Sequence, residues 1–421
     1  MRPNRTAPLS LHSIWFAYPG ASDAILLRDH RDDKLVAATT PEWTAAEGLR
    51  APAAYVSGAR PTIQVRLSRS TAARSRGVRV PGRSDPVCTI YATGAGGPGT
   101  RPRKIRLQFD NMGLSKPIAF RLSEPLPDRS GPLQLEWSWR LRVAAQEFAL
   151  GTSSHDILLT ARPILDPAPW LDEKPKDKAR RAPWAYSRIL EWTCDWTAGL
   201  DDEKAIVDAI MRNLPRSGLK YAVKAWDVLR MLVQGGGMCG GWGKMFQAMA
   251  ASQGVSLERR AFSLQQLPQA GLGGKMTWSG VVIRRGGINR VEPAGGSASR
   301  TFDDIVLKPD ARPTVAMVAD TRYCFGDGHV FNVLRHRKSW YLYDPSFLMG
   351  PIRLDRQLPK LDGNQLRDVA GMGNFYRDYL SRTVDFMRGT LQWGSQGPAA
   401  KDVTVPIALL NSPGTLSFYL F

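Results

Sequence analysis

The sequence predicts an α+β protein in which an N-terminal β-sandwich is followed by a domain of helices and then antiparallel strands. Two observations lead to this fold class. Apolar and polar residues alternate in short runs over residues 1–165, and a helical spacing of apolar residues begins only after a Pro- and charge-rich stretch at 166–184. The length of 421 residues fits two or three domains. The chain is 43% hydrophobic and 23% charged, which excludes a disordered polypeptide, and no apolar run approaches the roughly 18 residues of a membrane-spanning helix.

The predicted sandwich comprises residues 1–165 and is followed by a linker at 166–184. Glycine- and proline-rich turns separate its alternating runs, a pattern that is typical of sandwiches built from short strands. The clearest runs are PTIQVRL (61–67), VCTIYAT (87–93), RKIRLQF (103–109) and LQLEWSWRLRV (133–143).

The second domain is predicted over residues 185–350, with a C-terminal extension over 351–421 that packs on it. Apolar residues three and four apart indicate that helices come first, and alternating runs indicate strands after about residue 277. The expected helices cover 201–214, 225–233, a segment from Cys239 to just before Gly254, and 375–387; the expected strands include VVIRR (281–285), TVAMVAD (314–320), HVFNVLR (329–335) and WYLYDP (340–345).

The chain is strongly basic, because 57 Lys and Arg against 38 Asp and Glu give a formal net charge of +19. Such a surface attracts polyanions and acidic proteins. The densest basic stretch has seven arginines between Arg60 and Arg83 and contains no aromatic residue. Since single-strand binders stack bases on aromatic side chains, we interpret it as a solvated basic loop rather than a specific nucleic-acid site. An acidic protein partner for this N-terminal surface fits its charge.

Four cysteines, at positions 88, 194, 239 and 324, form no CxxC pair. Their spacing is not that of a disulfide framework or a structural zinc site, so we expect neither a metal nor a cofactor. The N-terminal stretch lacks the sustained apolar segment of a signal peptide. We therefore expect a cytoplasmic protein, with export without a leader as the alternative.

Cys239 is the first candidate catalytic residue. The segment GGGMCGGWGKMFQAMA (235–250) places it at the start of a predicted helix, where free backbone N–H groups and the helix dipole stabilise a thiolate. Glycines on both sides are expected to let a substrate backbone approach closely. The alternative is a cysteine that packs as a small apolar residue. Cys324, in a predicted loop before a strand, is a second candidate nucleophile.

His329 and Asp344 lie in the segment GDGHVFNVLRHRKSWYLYDPSF (326–347), which predicts a β-hairpin. A turn at 336–337 would set them directly opposite each other, with Cβ atoms about 4.5–5.5 Å apart. The carboxylate would then bond one imidazole nitrogen and leave the other for a thiol, as in a catalytic triad. Because His336-Arg337 is a poor turn pair, a longer loop is the alternative, as are a surface histidine and an Asp-Pro strand terminator.

Together these residues resemble the transglutaminase-like superfamily of papain-fold enzymes. The similarity rests on GMCGGW, HVFN and W-YLYDPS, which follow the family's order, and it covers roughly residues 185–350. It implies Cys239 as nucleophile, His329 as general base and acid, and Asp344 as the group that orients the histidine.

The resemblance also suggests residues for the oxyanion hole and the substrate pocket. The Cys239 N–H would be one donor to the oxyanion, and either Gln234 or the indole of Trp226 would be the second. The aromatic residue that often follows the cysteine directly in the family is delayed to Trp242 here, which affects the expected shape of the pocket.

The function that the resemblance implies is acyl transfer on a protein or peptide carboxamide through a thioester. The acceptor decides whether the enzyme is a transamidase, a deamidase or a protease, and the sequence leaves this open. Three alternatives remain: a catalytically inactive scaffold that binds peptides in the same groove, a leaderless bacterial toxin that deamidates a target glutamine, and a basic nucleic-acid binder whose cysteine is incidental.

Overall fold

The structure of the chain is a computed structural model. It describes residues 9–18, 24–35, 41–69, 87–95, 97–165, 183–221, 225–263, 267–268, 274–283, 324–325, 328–355, 367–368, 378–379, 384–393, 401–406 and 417–420. The predicted linker at 166–184 and the predicted strand TVAMVAD (314–320) lie outside these residues, apart from the last two positions of the linker.

The described residues separate into two compact units. The first contains those up to 165, those from 183 to Asp202, and the short segment Ser252–Val255. The second contains Glu203–Ala251 and the described residues from Ser256 onward.

The first unit is built almost entirely from strands. They are β1 (Leu9–Trp15), β2 (Leu26–Asp29), β3 (Lys34–Leu35), β4 (Trp43–Thr44), β5 (Gly48–Leu49), β6 (Ala53–Val56), β7 (Thr62–Arg69), β8 (Val87–Ala95), β9 (Arg103–Arg106), β10 (Ile118–Arg121), β11 (Gly131–Val143), β12 (Gln146–Thr160) and β13 (Trp184–Tyr186). Two five-stranded sheets have the orders β10-β7-β1-β4-β5 and β6-β12-β11-β8-β9.

The two sheets share one hydrophobic core, which confirms the predicted sandwich. Every second residue of the central part of β11 is buried, from Leu135 to Leu141, because successive side chains of a strand point to opposite faces. Aromatic rings from the other sheet pack against this row. Phe120 of β10 lies edge-on to Trp139 with ring centroids 5.6 Å apart, and Phe16, which directly follows β1, stacks on Trp137 at 5.7 Å.

The basic stretch of the first unit is partly strand rather than loop. Arg66 and Arg69 lie on β7, where the guanidinium of Arg66 is 5.6 Å from the Trp15 ring and that of Arg69 is 4.6 Å from the Phe109 ring. Both arginines therefore lie on a strand and over aromatic rings, so the expectation of a loop is wrong for them, while Arg69 is exposed as expected. Residues 70–86, with four of the other five arginines, lie outside the described part.

The described helices are α1 (Ser187–Trp196), α2 (Glu203–Asn213), α3 (Val228–Gln234) and α4 (Cys239–Ser252), with a 3₁₀ turn at Leu214–Ser217. The sequence did not predict α1, which belongs to the first unit and contacts β11 and β12. The last three helices confirm the predicted ones at 201–214, at 225–233 and from Cys239. Gly254 lies just beyond α4 and has φ +75, the left-handed conformation that is expected of a glycine just past the end of a helix. Of the described helices, none is long and apolar enough to cross a membrane.

The second unit also contains a short parallel pair, β14 and β15, between its helices, and a set of later strands that form antiparallel sheets. The strands are β14 (Lys220–Tyr221), β15 (Gly236–Gly237), β16 (Glu258–Ser263), β17 (Leu267–Pro268), β18 (Gly274–Ile283), β19 (Cys324–Phe325), β20 (Gly328–His336), β21 (Ser339–Asp344), β22 (Met349–Leu354), β23 (Arg367–Asp368), β24 (Val384–Trp393), β25 (Lys401–Pro406) and β26 (Ser417–Leu420). The sheet relevant to the site has the order β22-β21-β20-β16-β26-β23. Its fifth strand comes from the C-terminal extension, since Leu420 of β26 pairs with Phe262 of β16.

The predicted helix at 375–387 is wrong at its end. Residues 384–387 begin β24, which pairs with β18 and β25. Tertiary pairing of an alternating segment has overridden a helical spacing of apolar residues, which a single sequence cannot foresee.

The hairpin register also differs from the prediction. His336 pairs with Ser339, so the turn is formed by Arg337 and Lys338, and Arg337 takes φ 56. Two-residue hairpin turns favour positive φ because it matches the twist of the strands. The direct pairing of His329 with Asp344 is therefore wrong by two residues. A shift of two keeps both positions on the same face of the sheet.

Candidate functional site

Cys239 is the first residue of α4 and is only 6% exposed. Two backbone hydrogen bonds fix the position of the helix start: the Met238 N–H donates to the Ala225 carbonyl at 3.0 Å, and the Trp242 N–H donates to the Met238 carbonyl at 2.8 Å. The predicted helix start is thereby confirmed, and the thiol lies where backbone N–H groups are free of intrahelical partners.

The glycines beside Cys239 are places where the protein's own atoms come close. A β-carbon on Gly237 would lie 2.7 Å from the Ala225 carbonyl oxygen, and one on Gly241 would lie 2.6 Å from the same oxygen and 2.8 Å from Met231 Sδ. All three distances are shorter than real Cβ contacts. Ala225 and Met231 occupy the space beside these two glycines, so we interpret the glycines as fixing the start of the helix rather than admitting a substrate backbone.

Trp226 precedes α3 in the chain, and its ring packs against the start of α4. Its Cε3 and Cζ3 atoms are 3.0 and 3.2 Å from the place that a β-carbon on Gly240 would take, and the residue is 55% exposed. Gly240 directly follows Cys239 in the chain. An aromatic ring in contact with solvent thus covers the residue next to the thiol, and such a ring offers a flat apolar surface to a substrate.

The other two candidates for substrate contacts occupy different environments. Gln234 is the exposed last residue of α3, followed by Gly235 with φ 74. Trp242 is fully buried, and its Nε1 has no hydrogen-bond partner among the described residues. Of the three predicted residues, Trp226 is the one that is exposed and whose ring also contacts the residue after Cys239.

Strand β20 supports α4 through Gly243, which is four residues after Cys239 and hence on the same face of the helix. A β-carbon on Gly243 would meet Val330 Cγ1 at 2.7 Å, and the Asn332 side-chain amide donates to the Gly243 carbonyl at 3.1 Å. The buried Asn332 thus ties β20 to the helix that carries the thiol.

His329 stands in β20 directly before Val330, and its backbone pairs with Phe262 of β16. Its side chain lies outside the described part of the chain. Its proposed role as general base rests on its position in the sequence and on its position in β20, next to Val330, which contacts α4.

Asp344 ends β21 and is fully buried. Its Oδ1 accepts the Ser346 backbone N–H at 3.0 Å, and its Oδ2 accepts the Tyr379 hydroxyl at 2.5 Å. Continuing the hairpin register by one residue sets Asp344 opposite Phe331, two positions after His329. A buried carboxylate needs donors on both oxygens, and this one has them.

Tyr379 is the residue of the site that the sequence analysis missed. It is fully buried, and its ring centroid is 5.8 Å from that of Phe331. The pKa of Tyr379 is raised well above its usual value of 10. Burial is the largest cause, followed by the charge and hydrogen bond of Asp344 and then by the charge of Cys239. The raised pKa keeps the phenol protonated, so that it donates to the Asp344 carboxylate. No motif marks Tyr379, because it follows Asp344 by 35 residues in a segment predicted only as a helix.

Two of the remaining cysteines have described side chains, and both are buried. Burial raises the pKa of Cys194 to about 12, and it also raises the pKa of Cys88, so both thiols are protonated at neutral pH. Cys324 lies in β19, and its side chain is outside the described residues. Within the described residues, no group of three or more His, Cys, Asp and Glu could hold a metal ion.

Comparison with known proteins adds no relationship: no protein-family model matches the chain, and no curated protein matches it either.

Proposed function

We propose that the protein is a cysteine-dependent acyl-transfer enzyme of the transglutaminase-like kind. The observation that carries the proposal is the buried Asp344 carboxylate, which the Tyr379 hydroxyl and the Ser346 N–H hold by two hydrogen bonds, in the sheet whose strand β20 contacts α4, the helix that begins with Cys239. A carboxylate fixed by two donors beside a helix that begins with a cysteine is the arrangement that an orienting acid and a nucleophile require. The position of His329 in β20, the strand that supports this helix, agrees with the proposal.

The proposed reaction has two halves. His329 takes the proton of the Cys239 thiol, the sulfur attacks the carbonyl carbon of a carboxamide, and the negative charge that develops on the oxygen is bound by the Cys239 N–H and a second donor. His329 then gives its proton to the leaving amine, and a thioester remains. In the second half an amine or water attacks the thioester, passes its proton to His329, and releases the sulfur as the proton returns.

The substrate that we propose is a carboxamide of a protein or peptide. Trp226 supports this choice, because a half-exposed indole next to the thiol suits an extended chain better than a small polar molecule. The positive charge of the chain would favour an acidic partner. No cofactor takes part in this scheme.

One observation favours a second candidate, an inactive scaffold that binds peptides. Cys239 is only 6% exposed, and a thiol that no substrate reaches performs no chemistry. Reactivity of the thiol therefore separates the two functions.

The test of the proposed function is intact-mass analysis of casein after incubation with the protein, with and without a primary amine. Addition of the amine indicates transamidation, the small mass increase of a hydrolysed amide indicates deamidation, and fragments indicate proteolysis. The Cys239→Ala variant should abolish each product, while Cys194→Ala, a change at a buried thiol of raised pKa, should not. Product formation by Cys239→Ala at the wild-type rate would contradict the assignment.

A further inference from the structure

Tyr379 contacts the candidate site from the C-terminal extension, 35 residues after Asp344. Its hydroxyl and its ring are both engaged. The hydroxyl donates to Asp344 Oδ2 at 2.5 Å, and the ring packs at 5.8 Å from the ring of Phe331, which continues the hairpin register opposite Asp344.

We propose that Tyr379 is a positioning residue of the reaction, which holds the Asp344 carboxylate in the orientation that receives the His329 N–H. This inference rests on the proposed function, because it assigns Tyr379 a role in that same site. The C-terminal extension is then part of the catalytic centre.

The geometry of the carboxylate supports this role. A carboxylate can rotate about its Cβ–Cγ bond unless donors hold both oxygens in fixed directions. The Ser346 backbone N–H holds Oδ1 at 3.0 Å, and the Tyr379 hydroxyl holds Oδ2. A carboxylate oxygen can accept more than one hydrogen bond. The two bonds thus restrict the rotation of the Asp344 carboxylate and do not by themselves exclude a bond from the His329 imidazole.

The direction of the Tyr379 bond is also determined. Because burial and the neighbouring negative charges raise the pKa of Tyr379 well above 10, the phenol keeps its proton at neutral pH. It therefore acts as a donor, and Asp344 acts as its acceptor. A donor from a neutral group orients a carboxylate without neutralising its charge, which a lysine or arginine in the same place would do.

The experiment compares Tyr379→Phe with Tyr343→Phe in the full chain. Tyr343 is a matched control, because it is also fully buried, lies next to Asp344 in β21, and its hydroxyl also donates to an aspartate, Asp208, at 2.7 Å. Each variant loses one hydroxyl and keeps its ring. Thermal unfolding, steady-state kinetics with casein and a biotin-linked amine, and the rate of iodoacetamide alkylation at Cys239 are measured for both.

A positioning role predicts that Tyr379→Phe lowers kcat by about tenfold to a hundredfold and leaves KM within about twofold, since a misoriented triad affects the chemical step and not binding. The alkylation rate of Cys239 should fall by about tenfold in parallel. Tyr343→Phe should show a similar shift in thermal unfolding and near wild-type kcat. In an Asp344→Asn background, Tyr379→Phe should cause no further loss, because residues that act through one another are not additive.

Two results overturn the inference and are distinguishable from failure of the proposed function. Wild-type kcat and alkylation in Tyr379→Phe, with Cys239→Ala inactive, would refute the positioning role alone. Equal losses in Tyr379→Phe and Tyr343→Phe would assign both to lost stability. A wild-type protein without turnover, whose Cys239 reacts no faster than in the unfolded chain, would refute the proposed function, and the positioning role with it.

Discussion

Gly241→Ala tests whether the glycines after Cys239 fix the helix or admit a substrate, since the two explanations predict opposite signs for the change in stability. Gly241 is an interior residue of α4. If its surroundings were open, alanine would stabilise the helix by up to about 1 kcal/mol, because glycine loses more backbone entropy on folding.

The contacts of Gly241 predict the opposite. A new β-carbon would lie 2.6 Å from the Ala225 carbonyl oxygen and 2.8 Å from Met231 Sδ. The thioether can move, but the carbonyl cannot, because the same oxygen accepts the Met238 N–H at 3.0 Å directly before Cys239. Overpacking costs about 1–3 kcal/mol. After the gain in helix propensity, the free energy of unfolding should fall by about 1–2 kcal/mol.

Gly240→Ala is the matched control, one residue earlier in the same helix. Its β-carbon would meet the Trp226 ring at 3.0–3.2 Å, and a ring that is 55% exposed can shift into solvent. This variant should therefore be about as stable as the wild type. Urea unfolding of both variants, followed by circular dichroism, measures the difference. If Gly241→Ala is more stable than the wild type and its only effect is a higher KM for casein, the glycine admits substrate and our argument from packing is refuted.

Three further predictions concern single side chains. Asp344→Asn should fold, because the Tyr379 hydroxyl can rotate to accept from the new amide, and should lower kcat by about 10²–10⁴, whereas wild-type turnover would remove Asp344 from the mechanism. Burial lowers the pKa of His155 from 6.5 to about 3. Between these two pH values the unfolded chain binds a proton that the folded chain does not, so the folded state loses stability as the pH is lowered. The free energy of unfolding should fall by about 2 kcal/mol between pH 7 and pH 5 in urea titrations, and His155→Phe should abolish most of this loss; an unchanged pH dependence would contradict the assignment. Trp226→Ala should raise KM for casein about tenfold and leave kcat within about threefold, and a loss in kcat alone would contradict a role in binding.

The sequence predicted the elements that depend on local pattern. The alternation that buries Trp137 and Trp139 in β11 is visible in the letters, and so are the spacing of α2 and the helix start at Cys239. Each of these follows from which residues must face a core, and that information lies within about ten to fifteen positions of chain.

The sequence could not predict features that depend on distant partners. The hairpin turn falls one residue later than expected because Arg337 adopts a positive φ, a conformation that its residue type does not favour. The β-strand at Val384–Trp393 forms because β18 and β25 flank it. The role of Gly241 depends on a carbonyl sixteen positions earlier, at Ala225. Composition could mark these glycines as unusual but could not say what approaches them.

The residues of the candidate site differ in their exposure to solvent, and no motif predicts this difference. Asp344 and Tyr379 are fully buried, whereas Trp226 at the start of α4 is 55% exposed. If the proposed acyl transfer takes place, we expect a carboxamide to approach along the exposed Trp226 ring, because the carboxylate, the phenol and the Phe331 ring pack on one another in the interior. We expect the leaving amine and the acceptor to use the same route. Under that proposal, the choice between transamidation and hydrolysis depends on how closely the bound substrate covers Trp226 and excludes water.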